Sequence, residues 1–270
     1  GLPKAEKAKK VYVIGGGVAG MCAAFTAKRR GHDVTLFEAT DKLGGNMRLA
    51  AYPPGKGDIT NMIRSYIHRC QKDGVKIVMN CEVTPELIKE EKPDSVIIAT
   101  GSKTLILPIE GIDNPAIIHG SDLLDGKRAA GKKVLVVGGG MVGCETAAFL
   151  GEQEHDVTLI EFRDTVGADV IHEHRVYLMK DFEDYGIKEI TGAKVCKFYE
   201  DGVEYETADG VRHESRGYDS VILSMGFRNY NPLEEKIKDL VPETHVIGDA
   251  IRARRALDAT KEAYEVASRI

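Results

Sequence analysis

A short apolar run ending in a glycine-rich turn occurs twice in this chain, and the second copy repeats the first at a fixed distance. Val11-Tyr12-Val13-Ile14 leads into Gly15-Gly16-Gly17-Val18-Ala19-Gly20, and Val134-Leu135-Val136-Val137 leads into Gly138-Gly139-Gly140-Met141-Val142-Gly143. From Gly15 to Gly138 the offset is 123 residues, and His32-Asp33-Val34-Thr35-Leu36-Phe37-Glu38 returns at that offset as His155-Asp156-Val157-Thr158-Leu159-Ile160-Glu161. One offset shared by two separate segments marks an internal duplication. Each copy predicts a buried parallel strand, a tight turn, a helix and a second strand. In the first copy the helix carries Arg29 and Arg30 in its last turn and stops at Gly31, the usual charge and glycine signals for a helix end.

Each glycine has a chemical task. The first permits the sharp turn, the second lets a pyrophosphate approach the backbone, and the third lets helix pack on strand. The helix N-terminus then presents unpaired N–H groups and a positive dipole end to the phosphates. An acid at the end of the next strand accepts from ribose hydroxyls, and Glu38 and Glu161 stand at the expected distance of about 20 residues from the first glycine. The expected contacts are therefore Gly15, Gly17, Val18, Ala19, Gly20, Glu38 and Ala39 in the first copy. In the second they are Gly138, Gly140, Met141, Val142, Gly143 and Glu161. A carboxylate at the ribose favours NAD(H), because it repels the 2′-phosphate of NADP(H); Arg163, two residues on, softens that preference.

Beyond Glu38 the copies diverge. The first continues through Asp41-Lys42-Leu43-Gly44-Gly45-Asn46-Met47-Arg48, whose glycine pair allows close approach by a ligand with a long tail, or else marks an ordinary turn. Asp94 to Ser102 predicts a buried strand ending in the small-residue turn Ala99-Thr100-Gly101, and His245-Val246-Ile247 predicts another ending in Gly248-Asp249. An aspartate there can accept from flavin ribityl hydroxyls, and a helix over Leu257 to Ile270 follows it. Gly45, Asn46, Arg48, Val83, Ala99, Thr100, Gly101, Gly248 and Asp249 complete the first expected site, and Gly226 the second. Between Ala193 and Arg216, turns at Asp201-Gly202 and Asp209-Gly210 predict a small antiparallel meander.

These segments resemble the two-dinucleotide disulfide-reductase-like flavoproteins. The resemblance implies an α/β chain of two Rossmann-like domains, the NAD(H) domain (105–226) inserted into an FAD domain (1–104 and 227–270). Asp219 to Gly226 echoes the Asp94 strand and supports a return crossing near 226. Leu43-Gly44-Gly45-Asn46, Pro53-Pro54-Gly55-Lys56 and Ile109-Glu110-Gly111-Ile112 look more particularly like the C-terminal half of the 2,4-dienoyl-CoA reductase, 2-enoate reductase and trimethylamine dehydrogenase group. Members of that group carry an N-terminal barrel with FMN and a cysteine-bound iron–sulfur cluster. The expected partner of this chain is such a barrel, with Pro3 to Lys10 as an interdomain linker. The expected function is an NADH-dependent flavin oxidoreductase module that passes hydride from NADH to FAD and electrons onward. A structural module holding ADP without hydride transfer is the alternative, since the glycines and Glu38 contact only the ADP half. An NADPH-linked subunit of an amidotransferase-type synthase would bring cysteine-rich cluster motifs.

Other chemistries find little support. Hydride transfer to a flavin needs positioning rather than an acid–base residue, so no catalytic side chain is expected. Cys22, Cys70, Cys81, Cys144 and Cys196 include no CxxC, which argues against a dithiol relay, a metal site and a disulfide framework, and points to reduced cytoplasmic thiols. Cys144, near a helix start, is either activated by the dipole or plain packing. Arg48 and Lys56 either reach the flavin or lie in solvent. His172 and His174, two apart on a helix, make a poor chelate and are expected in solvent. A net charge of −5 and the absence of a basic stripe speak against nucleic acid, and no apolar run reaches membrane length.

Overall fold

In a computed structural model, which describes residues 2–270, the chain is α/β and built on two parallel sheets. Its first half runs β1 (Lys10–Ile14), α1 (Val18–Arg30), β2 (Asp33–Phe37), α2 (Gly57–Lys72), β3 (Lys76–Val78), α3 (Pro85–Glu91), β4 (Ser95–Ile98) and β5 (Ser102–Thr104). Next come β6 (Ile118–His119), α4 (Gly120–Leu124), β7 (Lys133–Val137), α5 (Met141–Glu152), β8 (Asp156–Ile160), α6 (His172–Asp184) and β9 (Lys188–Ile190). The chain ends through β10 (Lys194–Tyr199), β11 (Gly202–Glu206), β12 (Arg212–Ser215), β13 (Ser220–Leu223), β14 (Phe227–Asn229), α7 (Glu234–Ile237), β15 (Glu243–Val246) and α8 (Ala256–Ala267).

Two compact units result. The first comprises residues 1–51, 57–103 and 227–270; the second comprises 52–56 and 104–226. Tyr52–Lys56 thus belongs with the second unit, although it lies inside the 1–104 stretch expected to form the first domain.

In the first unit the strand order is β15-β4-β1-β2-β3, all parallel. Strand β1 shows why both faces are covered. Successive side chains point to opposite faces, so Val11 and Val13 enter one apolar cluster with α1, α2 and α8. Tyr12 and Ile14 enter another with Ile88, Leu233 and Ile237. Strand β7 of the second unit does the same in the order β6-β13-β7-β8-β9. Val134 and Val136 pack under α5 and α6, while Leu135 and Val137 pack against Phe198 and Val203 of the antiparallel meander β10-β11-β12.

The duplicated helices end differently. Gly31 caps α1 in the left-handed region at φ 102°, donating to Ala27 and Lys28 carbonyls. At the same offset Glu154 takes a left-handed φ of 63° without glycine's freedom.

Candidate functional site

Both glycine turns put a helix N-terminus at the C-terminal end of a central strand. Gly15 and Gly138 adopt φ of 109° and 107°, a region L-residues avoid. A Cβ on Gly20 would meet the Gly15 carbonyl oxygen at 1.8 Å, and one on Gly143 would meet that of Gly138 at 1.7 Å. Helix and strand therefore touch through backbone. At Gly17, by contrast, no atom of the other described residues lies within 4 Å of a built Cβ, its chain neighbours aside. The amides of Val18, Ala19 and Gly20 have no acceptor among the described residues, since the first bond at this end runs from Met21 N–H to the Gly17 carbonyl at 2.9 Å.

Glu38 ends β2 and is buried at 9% exposure. Its Oε2 accepts from the Gly16 amide at 2.8 Å, and Oε1 accepts from the Thr40 amide and hydroxyl, each at 2.8 Å. Glu161 repeats the arrangement, accepting from the Gly139 amide at 2.5 Å and the Arg163 amide at 2.8 Å. Of the roughly four acceptor positions of a carboxylate, Glu161 keeps two and Glu38 one.

Around the first turn, Asn46 Nδ2 donates to the Ser102 carbonyl at 3.1 Å and to its Oγ at 3.2 Å, and Ser102 Oγ donates to Asp249 Oδ2 at 3.1 Å. Asp249 Oδ1 also accepts from the Arg254 amide at 3.2 Å. Gly248 packs on the Ala19 methyl, so the Gly248-Asp249 turn and α1 are neighbours. Gly45 approaches Gly17, at 3.2 Å from a built Cβ to its Cα. Thr100 Oγ1 donates to the Tyr230 carbonyl at 2.5 Å, and the Ala99 carbonyl abuts Gly15. Arg48 lies along Gly44, and Ala39 is exposed just past Glu38. Val83 is 9% exposed and packs in the apolar cluster of Tyr12, Ile14 and Phe37, whose strands lead into the Gly15 turn and Glu38.

In the second unit a cavity of about 320 Å³ is lined by Gly138, Gly140, Met141, Glu161, Arg163 and Gly226, with Val142 also on its wall. Gly143 is buried beneath it. Phe162, 68% exposed, stands at its edge.

Glu145, four residues into α5, was not legible in the sequence. It is 6% exposed, and its Oε1 accepts from Lys56 Nζ at 2.7 Å and faces His174 Nε2 at 3.2 Å. Lys56 and His174 are thus both engaged with a buried carboxylate, whereas the sequence places His174 in solvent and leaves Lys56 between flavin and solvent. Among the described residues no group of His, Cys, Asp and Glu is arranged to hold a metal, and no helix is long and apolar enough to cross a membrane.

Cys144 is settled by burial. It is 0% exposed, its Sγ donates to the Gly139 carbonyl at 3.2 Å, and burial pushes the thiol up to about 12 despite the helix end. Burial likewise raises Cys70 to about 12 and Cys22 to about 11. Native thiol labelling is therefore expected to modify only the half-buried Cys81 and Cys196, and all five after denaturation. A group raised above its unfolded value stabilises fully below that value. The three buried thiols therefore contribute stability below their ordinary 9.0 and lose it as pH climbs towards 11 and 12. Urea melts across that range measure the loss.

Comparison with known proteins places this architecture. The family model described as pyridine nucleotide-disulphide oxidoreductase matches residues 9–247. Cinnamate reductase of Clostridium sporogenes is 35% identical over 273 residues, covering 100% of this chain and 40% of that protein. NADH oxidase of Thermoanaerobacter brockii is 34% identical over 275 residues, covering 100% of the chain and 42% of that protein. The structure of a 2-naphthoyl-CoA reductase in complex with 2-naphthoyl-CoA superposes with a TM-score of 0.94 at 33% identity, covering 100% of this chain and 41% of that one. The chain thus spans about two fifths of the length of these relatives.

Proposed function

This chain belongs to the pyridine nucleotide-disulphide oxidoreductase family, and we propose that it is the FAD- and NADH-binding oxidoreductase module of a larger reductase. The two units are then Rossmann-like domains, FAD in the first and NADH in the second. One observation carries this reading: two strand–turn–helix units from one duplication each end in a glycine-lined helix N-terminus with an acid anchored beside it. Relatives named as cinnamate reductase and NADH oxidase, matched over their corresponding parts, support it.

The first site fits FAD. The free amides of Val18, Ala19 and Gly20 face a bound pyrophosphate, and the open face of Gly17 lets it approach. Glu38 would orient the adenosine ribose with its remaining lone pair. Asn46, Thr100 to Gly101 and Asp249 would hold the flavin end, with Ser102 fixing both Asn46 and Asp249. Bound flavin supplies the hydride acceptor, and the chain supplies orientation. In the second site Glu161, with two lone pairs free, would take the adenosine ribose of NADH and disfavour a 2′-phosphate. Phe162 offers a face for the adenine. We assign the electrons onward to a partner domain bearing FMN and an iron–sulfur cluster, in keeping with the share of each relative this chain covers.

Mass spectrometry of the nucleotide released on denaturing the purified protein tests the first site. FAD is the expected result. ADP alone, with no uptake of added FAD, would instead establish a structural nucleotide site.

A further inference from the structure

The duplication extends past the ribose acids. At the same 123-residue offset, Leu43-Gly44-Gly45-Asn46 is matched by Val166-Gly167-Ala168-Asp169. The structure treats the two loops alike: the Gly44 amide donates to the Gly16 carbonyl at 2.8 Å, and the Gly167 amide donates to the Gly139 carbonyl at 2.7 Å. Asn46 and Asp169 therefore occupy equivalent positions beside their glycine turns, yet they act differently. Asn46 turns its carboxamide to Ser102 and leaves the Val18 amide open. Asp169 turns onto the helix: its Oδ1 accepts from the Met141 amide at 2.9 Å, and its Oδ2 lies 3.3 Å from a Cβ built on Gly140. Both Asp169 and Met141 line the cavity of the second unit.

We propose that Asp169 is an internal latch on the pyrophosphate subsite of the second unit, a carboxylate that caps α5 in the free protein and is displaced when NADH binds. This rests on reading that unit as the nicotinamide dinucleotide site. The physical reason is that one helix N-terminus favours one anion. A carboxylate on the first free amide satisfies the dipole and the orphan N–H, and a pyrophosphate brought to the same amides meets a like charge at contact distance. Displacement is local, because Val166 and Val170, 1% and 8% exposed, hold the segment between β8 and α6 in the core while Phe162 and Ile171 lie exposed. Arg175 holds the near part of that segment, its Nε donating to the Val166 carbonyl at 3.3 Å and its Nη2 to Thr165 Oγ1 at 3.0 Å. Release is therefore confined to Ala168 and Asp169, between the anchored Gly167 and the buried Val170. The first unit, with a neutral amide in the equivalent place, has no such latch and suits a nucleotide that stays bound, whereas the second suits one that must leave after each turnover.

The test is Asp169→Asn, which copies the first unit and keeps a side-chain oxygen to cap the helix. NADH and ADP-ribose binding to the full chain are measured by calorimetry, alongside hydrogen exchange of peptides covering residues 168–171. The latch predicts Kd for both ligands about tenfold or more tighter in the variant, as relief of a like-charge contact requires. It also predicts faster exchange at Ala168 and Asp169 when NADH binds to the parent protein. Equal or weaker binding by a folded variant, with binding by the parent intact, overturns the latch and leaves the dinucleotide site standing. Binding of neither ligand to either protein overturns the dinucleotide reading of the second unit, and the latch with it.

Discussion

Gly17→Ala is expected to leave the protein as stable as its parent while weakening flavin retention by roughly ten- to hundredfold, and Gly20→Ala is expected to unfold the first unit. The two glycines lie three residues apart in one motif, and the geometry separates their tasks. At Gly17 the backbone is extended in ψ with φ −70°, open to any residue, and no atom of the other described residues, its chain neighbours aside, is within 4 Å of a new methyl. The methyl would instead stand where a pyrophosphate approaches, so the loss is in binding alone. At Gly20 the methyl would fall 1.8 Å from the Gly15 carbonyl oxygen, a backbone atom that cannot step aside without parting α1 from β1. That rupture, through the central strand of the sheet, is expected to cost about 3 kcal/mol or more. Urea melts and the flavin content of each purified variant distinguish the two outcomes. A destabilised Gly17→Ala, or a stable Gly20→Ala, would contradict this division.

Lys56→Ala is the second large effect expected. Glu145 is 6% exposed and has Lys56 as its close cationic partner, with the lysine side chain itself 23% exposed. Removing the ammonium strands a buried carboxylate, which is expected to cost the second unit about 2–3 kcal/mol, somewhat below the usual figure for a fully buried pair because the lysine touches solvent and His174 remains nearby. Combining Lys56→Met with Glu145→Gln removes both charges and is expected to recover most of that loss. A melt of Lys56→Ala indistinguishable from the parent would show that the pair contributes nothing to stability.

The sequence carries the parts of this protein that repeat or alternate. The strands Val11–Ile14 and Val134–Val137, the two glycine turns and both ribose acids are local patterns with fixed spacing, and the meander is punctuated by Asp-Gly turns. What it hides are contacts between distant residues. Lys56 and Glu145 are 89 residues apart, and Ser102 and Asp249 are 147 apart, so neither pair leaves any periodic trace. Ser102 was missed although its neighbours Thr100 and Gly101 were not, because a lone serine after a strand carries no distinguishing chemistry until the fold brings Asn46 and Asp249 to it. Cys144 is a different case: its place at a helix start allows either activation by the dipole or plain packing, and burial selects packing because desolvation outweighs the dipole. The equivalence of Asn46 and Asp169 was present in the sequence as spacing, yet it gained meaning only when both loops were seen to bond to the same carbonyl of their glycine turns.

Anaerobic titration of the purified protein with NADH, followed through the visible flavin band, tests the central claim most directly. The account predicts bleaching with one equivalent of NADH per bound FAD and a weaker response to NADPH. A flavin that stays oxidised in excess NADH, or a protein with no flavin band even after incubation with FAD, would contradict it.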